Sequence, residues 1–230
     1  MKIGLLTIAT NLYTDFIHKL YESADKYFCK DYDTKYYLFT NNVNFNVQTN
    51  KKYKILFIDH EKWPFITLKR YHIFSLYEKE LLEMDYLYYC DADMLFVNNV
   101  QDDILGERVA TIHPGFYNKN KNSYTYEKNL KSKAYISKPN GKQYYAGGFN
   151  GGSTEEFLKM SKILKNNIDI DLKNNIIAKW HDESHLNHYY NITTTPTLEL
   201  SPSYCYPENW CIPFDKKILA LDKNHKKYQV

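Results

Sequence analysis

The segment "YYCDADMLF", residues 88–96, places two carboxylates, Asp91 and Asp93, directly after an apolar and aromatic run. The run "DYLYYC", residues 85–90, predicts a buried strand. Side chains alternate along an extended backbone, so Asp91 and Asp93 are expected to project to the same side. Oxygen ligands of this kind suit Mg²⁺ or Mn²⁺, which commonly join protein carboxylates to substrate phosphates. The simpler interpretation is a strand-end turn with two solvated acids.

The sequence around this segment alternates between strand and helix patterns. Strands are predicted at residues 3–9, 35–40, 53–59, 85–90 and 107–112. Helical spacing runs from Phe16 to Phe28, a long helix is predicted at 66–83, and Ser153 with Glu156 forms a capping box for a helix to about 168. This alternation indicates an α/β fold with a mainly parallel sheet flanked by helices. Asp91 then lies at the carboxyl end of a strand, where open α/β sheets bind ligands.

Length and composition predict one globular domain over residues 1–230, because 43% hydrophobic residues are enough to fill a single core. The 30 basic and 27 acidic residues are mixed along the chain, and no basic stripe marks a nucleic-acid partner. The N-terminal apolar run is too short for a transmembrane segment and lacks a cleavage site, so the expected location is cytoplasmic. The four cysteines form no CxxC pair and are expected to be free thiols.

Glycine is concentrated in "YYAGGFNGGS", residues 144–153, which holds four of the eight glycines in the chain. The spacing matches neither GxGxxG nor the phosphate-binding P-loop. Such a concentration indicates close approach of the backbone. It predicts either a flexible turn or the wall of a cleft that faces a bulky, hydroxyl-rich ligand. The preceding residues 114–145 form a long polar and aromatic excursion, and such excursions are often binding elements.

A third polar cluster is "WHDESHLNHYY", residues 180–190. It lacks the HExxH sequence of zinc proteases, and the i, i+4 pair His181 and His185 has no third ligand. Asp182 and Glu183 suit the positive end of a helix dipole. The more specific hypothesis makes Glu183 a catalytic carboxylate that faces the metal site.

These motifs occur in the order found in glycosyltransferase family 6, which includes the histo-blood-group A and B transferases and α1,3-galactosyltransferases. The shared segments are "TLKRYHIF", "DYLYYCDADMLF", "HPGFYNK", "TYEK", "AYI", "YYAGGFNGG", "WHDESHLN" and "LSPSY". The chain resembles the short bacterial-type members. The resemblance implies a GT-A fold and retaining α1,3 transfer of N-acetylgalactosamine, or less readily galactose, from the UDP-sugar to a galactose-terminated glycan, plain or fucosylated.

The resemblance also implies roles for individual residues. Donor-binding positions of the family correspond to Ile8, Ala9, Tyr13, Arg70, Asp91, Ala92, Asp93, Ala146, Gly147, Gly148 and Lys223. Acceptor-binding positions correspond to His113, Thr125, Trp180 and Glu183, and the expected catalytic residues are Glu183, Asp182 and Arg70. Asp91 and Asp93 match the motif that holds Mn²⁺, with Mg²⁺ as the second option. Small residues at Ala146 and Gly148 accompany N-acetylgalactosamine transfer in the family.

The sequence departs from the family at two places. Vertebrate members carry an acidic acceptor contact soon after "LSPEYLW", where this chain has Pro207 followed by Glu208. The family tail also holds an arginine beyond "KNH", where Lys226 and Lys227 stand here. The departures therefore fall on the parts of the family site that serve acceptor recognition and closure of the tail.

Two other functions are considered. One is a metal-dependent hydrolase or glycosidase that uses Asp91, Asp93 and Glu183. The other is a non-catalytic sugar-binding module in which the aromatic residues and His113 hold a glycan. The order of the acidic pair, the glycine segment and "WHDES" along the chain argues against both.

Overall fold

The predicted alternation of strands and helices is present in a computed structural model that describes residues 1–228, with the backbone alone for His225 and Lys226. The strands are β1 (Lys2–Ile8), β2 (Asp33–Thr40), β3 (Lys52–Phe57), β4 (Tyr86–Cys90), β5 (Met94–Phe96), β6 (Arg108–Ile112), β7 (Tyr145–Ser153), β8 (Leu198–Leu200), β9 (Tyr206–Pro207) and β10 (Ile218–Ala220). The helices are α1 (Ile17–Tyr27), α2 (Phe65–Leu68), α3 (Arg70–Leu76), α4 (Glu78–Leu81), α5 (Thr154–Lys173), α6 (His181–His188) and α7 (His225–Tyr228).

The central sheet contains seven strands in the order β3-β2-β1-β4-β7-β6-β8. The strands β3, β2, β1 and β4 are parallel, as predicted for strand–helix units. The strand β7 is antiparallel to both neighbours, and β8 is again parallel to β6. A small second sheet has the order β5-β10-β9. The mixed sheet with its flanking helices fits the expected GT-A-type fold.

Both faces of the sheet are covered by hydrophobic residues. On one face α1 packs through Ile17 and Leu20, and on the other α3 and α5 pack through Phe74 and Leu164, all of them buried. Strands buried on both faces carry continuous apolar runs, which is the pattern seen in the sequence of β1 and β4. Because these strands are parallel neighbours, their carboxyl ends meet at one edge.

The helix predicted at 66–83 is interrupted twice. Lys69 (φ −92°, ψ 15°) separates α2 from α3, and Tyr77 (φ −101°, ψ 23°) separates α3 from α4. The periodic apolar pattern does not encode these bends, which coincide with tertiary polar contacts. Arg70 follows the first bend, and the hydroxyl of Tyr77 donates to the carbonyl of Phe57 at the second.

The helix predicted to end near 168 is α5, which continues to Lys173. At its start, the Ser153 hydroxyl accepts the backbone N–H of Glu156 at 3.4 Å, so half of the predicted capping box is present. The other half is absent among the described residues, because the carboxylate of Glu156 pairs with Arg108 and Lys159 instead. Long-range charge pairing has replaced a local contact.

The glycine segment forms β7 in the interior of the sheet. The predictions of a flexible turn and of a cleft wall are therefore both wrong for Gly151 and Gly152. A Cβ atom at Gly151 would lie 2.3 Å from the carbonyl oxygen of Leu87. At Gly152, where φ is +144°, a Cβ would lie 2.1 Å from the carbonyl oxygen of Glu107. These two glycines therefore permit close packing between strands, away from the site.

Candidate active site

A cavity of about 220 Å³ opens at the carboxyl ends of β1 and β4. Among its lining residues are seven predicted donor-binding positions, Ile8, Tyr13, Arg70, Asp91, Ala92, Asp93 and Lys223. The predicted position Ala9 does not line this cavity, because its side chain is 1% exposed and packs in the hydrophobic core. Only the backbone of Ala9 is close to this edge of the sheet, and its N–H donates to the carbonyl of Phe39.

Several lining residues were missed by sequence reasoning. The hydroxyl of Thr10 lies 2.8 Å from Nδ1 of His60, and Trp63 stands 45% exposed beside them. Single polar or aromatic residues in loops carry no pattern that predicts a site. Ile66 and Thr67 precede Arg70 by four and three residues, a spacing that places them on the same helical face and could have identified them.

Asp91 and Asp93 lie in the turn between β4 and β5, so the predicted extended geometry is wrong. The backbone turns at residues 92–93, and β5 then joins the second sheet by pairing with β10. The backbone N–H of Asp91 donates to the carbonyl of Gly148 at 2.9 Å, and Oδ1 of Asp91 accepts the hydroxyl of Tyr89 at 2.5 Å. Asp93 forms an ion pair with Lys223. Both carboxylates still face the same cavity.

The acidic turn fits a divalent cation when a ligand supplies further oxygens. Burial raises the pKa of Asp91, Arg70 opposes that rise, and Asp93 adds to it, so a cation between the two acids would be favoured. Within residues 1–228, Oδ2 of Asp91 accepts no hydrogen bond from the protein. The described residues contain no group of three metal-binding side chains, so a diphosphate would complete the coordination. This donor set suits Mn²⁺ or Mg²⁺.

Arg70 connects three parts of the site from a buried position. Its Nη1 donates to the carbonyl of Gly147 at 3.0 Å, and its Nε lies 3.0 Å from Oδ2 of Asp182. Its Nη2 lies 3.5 Å from Oδ1 of Asp91, and the guanidinium carbon is 4.3 Å from the centroid of the Tyr89 ring. Burial alone would lower the pKa of Arg70, but Asp182, Tyr89 and Asp91 together raise it, so the positive charge is secure.

Asp182 is an ion-pair partner of Arg70 and is only 2% exposed. Burial raises the pKa of Asp182 to about 6, although Arg70 favours the charged form. The carboxylate of Asp182, a predicted catalytic residue, is thus held against the guanidinium of Arg70, and its catalytic role stays a prediction. The helix α6 presents Asp182 and Glu183 in its first turn, as the sequence pattern predicted.

Glu183 is held by donors from two directions. The backbone N–H of Gly147 donates to its Oε2 at 2.9 Å, and the hydroxyl of Tyr144 donates to its Oε1 at 3.1 Å. Burial raises the pKa of Glu183 to about 7 in spite of these hydrogen bonds. A carboxylate poised near neutrality, with its orientation fixed, suits stabilisation of a developing positive charge.

Tyr144 was not singled out from the sequence, because Tyr144 and Tyr145 look equivalent there. Tyr145 is the first residue of β7 and Tyr144 directly precedes it, and neighbouring side chains along an extended backbone point to opposite faces. The hydroxyl of Tyr145 bonds to Glu199, whereas that of Tyr144 reaches Glu183. The register of β7 therefore decides which tyrosine belongs to the site.

A bulge in β7 brings the glycines next to the acids. Ala110 of β6 pairs with Asn150, but the next residue, Thr111, pairs with Ala146, so residues 147–149 are left over on β7. Bulges of this kind commonly occur next to active sites. A Cβ atom at position 148 would lie 3.2 Å from Oδ2 of Asp91. A larger side chain there would press against the acidic turn.

Side-chain donors stabilise the bulge by forming hydrogen bonds to its backbone carbonyls. Arg70 and the amide of Asn150 both donate to the carbonyl of Gly147, at 3.0 and 3.1 Å. The hydroxyl of Thr111 donates to the carbonyl of Phe149 at 2.7 Å. The backbone groups that leave the ladder are thereby satisfied, which keeps the segment in one conformation.

His113, a predicted acceptor-binding residue, is a neutral hydrogen-bond donor. Its Nδ1 accepts the backbone N–H of Gly115 at 2.9 Å, so the proton of the neutral ring is on Nε2. Burial lowers the pKa of His113 to about 4. The ring makes an edge contact with Tyr144 at a centroid distance of 5.6 Å. Tyr144 thus joins the predicted acceptor contact His113 to Glu183.

Thr125 and Trp180, the other predicted acceptor positions, contact each other. The indole Nε1 donates to the hydroxyl of Thr125 at 2.9 Å, and Trp180 is 45% exposed. Together with Glu183, they form an open surface next to the first turn of α6. The structure therefore brings the predicted acceptor residues to one side of the bulge and the predicted nucleotide residues to the other.

Lys223 and Tyr228, near the carboxyl end of the described residues, line part of the cavity. The ammonium group of Lys223 pairs with Asp93 and lies 4.7 Å from the centroid of the Tyr13 ring. Tyr228 makes an edge contact with the same ring at 5.4 Å. Glu208, where the family has an acidic acceptor contact nearby, instead accepts the backbone N–H of Asp222 at 2.9 Å. The side chain of Lys226 lies outside what the structure describes.

The histidine pair of α6 does not form a metal site among the described residues. The ring of His181 packs edge-on against Trp63 at 5.0 Å, and His185 is buried 3.6 Å from the carboxylate of Asp171. All four cysteines are free, as predicted. The acidic turn is thus the better candidate for a cation.

The fold is that of a GT-A-type glycosyltransferase, and its cavity at the carboxyl ends of the parallel strands lies next to an oriented carboxylate. The chain belongs to glycosyltransferase family 6, whose profile matches residues 1–230. It is a hexosyltransferase, and this membership disfavours the hydrolase and binding-module interpretations.

The chain is similar to several relatives over 97–100% of its length. It is 35% identical to histo-blood group ABO system transferase 1 of Rattus norvegicus, over 97% of this chain and 67% of the relative. It is 32% identical to globoside alpha-1,3-N-acetylgalactosaminyltransferase 1 of Gallus gallus, over 100% of this chain and 68% of the relative. It is 30% identical to the O-antigen biosynthesis glycosyltransferase WbnI of Escherichia coli, over 99% of this chain and 97% of the relative.

None of the helices within residues 1–228 has both the length and the hydrophobicity of a membrane-spanning segment.

Proposed function

We propose that this chain is a retaining α1,3-N-acetylgalactosaminyltransferase that uses UDP-N-acetylgalactosamine and a terminal galactose, with fucosylated galactosides as one acceptor class. A single catalytic domain over residues 1–230 would carry the reaction. The observation that carries the proposal is the fixed carboxylate of Glu183 beside the small residues Ala146, Gly147 and Gly148. The names of the relatives from Gallus gallus and Rattus norvegicus support the same chemistry.

The nucleotide half of the donor would occupy the cavity at the ends of β1 and β4. Tyr13 offers its ring to the uracil base, and the acidic turn lies where a diphosphate would sit. A divalent cation held by Asp91 and Asp93 would neutralise charge on the departing diphosphate. Lys223 and Arg70 supply further positive charge there, so the leaving group is stabilised as the sugar–phosphate bond breaks.

The sugar would lie between the acidic turn and Glu183. As the bond to UDP breaks, the electron pair leaves with the diphosphate and positive charge develops at the anomeric carbon. Glu183 stabilises this charge, either across space during front-face attack or by forming a covalent glycosyl bond that the acceptor hydroxyl then displaces. In both routes an oxygen of the departing diphosphate takes the proton of the acceptor hydroxyl. Both routes retain configuration and both require Glu183 in its ionised form. The Nε2–H of His113 would orient the acceptor.

A matrix of donors and acceptors tests the proposal. Purified protein is assayed with UDP-N-acetylgalactosamine and UDP-galactose, with lactose and 2′-fucosyllactose, and with Mn²⁺ or a chelator. We expect UDP release that depends on acceptor and metal, with the N-acetylated donor preferred. Equal UDP release without any acceptor would support the hydrolase instead. Glycan binding that ignores both UDP and metal would support the binding module.

Donor choice is expected to respond to Ala146→Met combined with Gly148→Ala. An N-acetyl group needs small residues on the facing wall, so added bulk should shift the ratio of kcat/KM towards UDP-galactose by about 10-fold. Ala146→Met alone tests this directly. A Cβ at position 148 would lie 3.2 Å from Oδ2 of Asp91, so Gly148→Ala alone should also lower activity with both donors. An unchanged donor ratio in the double variant would contradict the assignment.

The pH dependence of transfer should follow Glu183. With a pKa of about 7, its reactive ionised form increases as pH rises through neutrality, so kcat/KM should rise and then level off. The hydroxyl of Tyr144 lowers this pKa, so Tyr144→Phe should move the rising limb to higher pH by about one pH unit. Tyr145→Phe is the matched control, because its hydroxyl serves Glu199. A limb that moves equally in both variants would disprove the link to Glu183.

A further inference from the structure

Residues 114–145, called the arm below, carry a strongly positive net charge. Its seven lysines are Lys119, Lys121, Lys128, Lys131, Lys133, Lys138 and Lys142. Its only acid is Glu127, so the formal charge of the arm is +6, and with +3 for the whole chain the other residues carry −3. The even mixture of charges expected from the totals is therefore wrong, and a count by segment would have shown it.

The lysines of the arm face solvent without partners. All seven are exposed, and within residues 1–228 none of their ammonium groups takes part in an ion pair or hydrogen bond. On α5, by contrast, Lys159, Lys162 and Lys165 each pair with a carboxylate. A surface of uncompensated like charge repels itself and attracts an anionic partner.

The acid of the arm does not neutralise this surface. Glu127 is 8% exposed, and its carboxylate accepts the backbone N–H groups of Asn129 at 2.7 Å and Lys179 at 2.6 Å. Its charge is thus directed inwards, towards the turn before Trp180. The positive charge remains on the outside of the arm.

The two limbs of the arm form one body. A Cβ atom at Gly141 would lie 2.3 Å from the Tyr126 ring, and that ring stacks on Tyr144 at 5.3 Å. The hydroxyl of Ser132 donates to Asp171 at 2.5 Å, which fixes the tip of the arm to α5. The lysines therefore lie on a segment that is anchored to the rest of the domain.

Apolar side chains lie among the lysines. Leu130 is 77% exposed and lies two residues after Lys128 and directly before Lys131. Lys121 and Lys142 line a shallow depression of about 310 Å³, and Ile192, 43% exposed, stands at its rim. Positive charge with exposed aliphatic groups is the chemistry of a protein face that lies on a lipid headgroup layer.

We propose that the arm docks on a membrane surface rich in anionic lipids. Lysines are compact point charges that respond to a diffuse negative surface potential, and the arm contains no arginine, the residue suited to gripping single phosphates of a nucleic acid. The exposed Leu130 finds an apolar environment at the headgroup boundary. Thr125 belongs to the same arm and contacts Trp180, so docking brings the acceptor side to the membrane.

Vesicle flotation tests this proposal with the full chain. Phosphatidylcholine vesicles with and without phosphatidylglycerol are compared at about 0.15 M salt. Binding is expected only with phosphatidylglycerol. Combined Lys128→Gln, Lys131→Gln and Lys133→Gln should lower the partition coefficient about 100-fold, at roughly fivefold for each lysine. Leu130→Ser should lower it about 10-fold while leaving its salt dependence unchanged.

The matched control is the triple variant Lys159→Gln, Lys162→Gln and Lys165→Gln, which removes the same charge from side chains that are 60%, 55% and 41% exposed. It should bind vesicles like the wild type. Equal losses in both triple variants, equal binding to neutral vesicles, or tighter binding to duplex DNA or RNA than to phosphatidylglycerol would each overturn the proposal. Vesicle binding is read without any sugar transfer, so this result is independent of the proposed reaction.

Discussion

Glu183→Gln is expected to lower the rate of sugar transfer by about 10³-fold while UDP binding stays close to that of the wild type. The substitution preserves shape. The glutamine oxygen can still accept the N–H of Gly147, and its amide can donate to the hydroxyl of Tyr144, so both neighbours keep a partner. What is lost is the negative charge that opposes the developing positive charge on the sugar. The loss should therefore appear in kcat and hardly in the affinity for UDP.

Single-turnover transfer and calorimetric titration with UDP separate these two quantities. Glu199→Gln is the matched control, since Glu199 bonds to Tyr145 in the same way on the opposite face of β7. It should retain near-normal transfer. If Glu183→Gln instead has near-normal turnover and a lower melting temperature, Glu183 serves only the first turn of α6, a role worth about 1 kcal/mol.

Asp93→Asn is expected to lower transfer by about 10²-fold or more without unfolding the protein. The substitution removes one of two carboxylates that face the cavity and releases Lys223 from its ion pair. The backbone of residue 93 still accepts the N–H of Leu221, so the turn keeps its anchor to the tail. Weaker binding of both cation and diphosphate should raise the donor KM and lower kcat. Transfer by the variant should respond much less to added Mn²⁺.

A matched control exists for the loss of an Asp–Lys pair. Asp103 pairs with Lys217 away from the cavity, and its side chain is 34% exposed, so Asp103→Asn removes the same charge. The asparagine oxygen can still accept one of the two other hydrogen bonds of Asp103, from the Tyr204 hydroxyl and the Gln101 backbone N–H. Its transfer rate should equal that of the wild type, with at most a small change in melting temperature. Full activity of the wild type in excess EDTA would remove the role assigned to the acidic turn.

The two variants report on different halves of the reaction. In the proposed function, Asp93 serves the UDP half of the donor from the cavity, and Glu183, bonded to Gly147 of the bulge in β7, serves the reacting sugar. Donor KM should therefore change mainly in Asp93→Asn and kcat mainly in Glu183→Gln. A loss of UDP affinity in both variants to the same extent would indicate general damage to the site.

Local sequence patterns determined which strands and helices carry the candidate site. Apolar runs and helical spacing depend on neighbouring residues, so the parallel strands, the position of Asp91 after β4 and the placement of Glu183 in the first turn of α6 were all predicted. The ordered motifs identified the family, which the profile match confirmed. The roles carried over for individual residues remain predictions that the variants above test.

Only the tertiary structure decided how these elements meet. The bulge at residues 147–149 depends on the register between β6 and β7, and that register separates the glycines that pack strands from those beside Asp91 and Glu183. It also directs Tyr144 to Glu183, while Asp182 is buried against Arg70. Residues far apart in the chain set these contacts. A local pattern fixes which face a side chain prefers, whereas the partner across the sheet depends on long-range packing that the pattern does not contain.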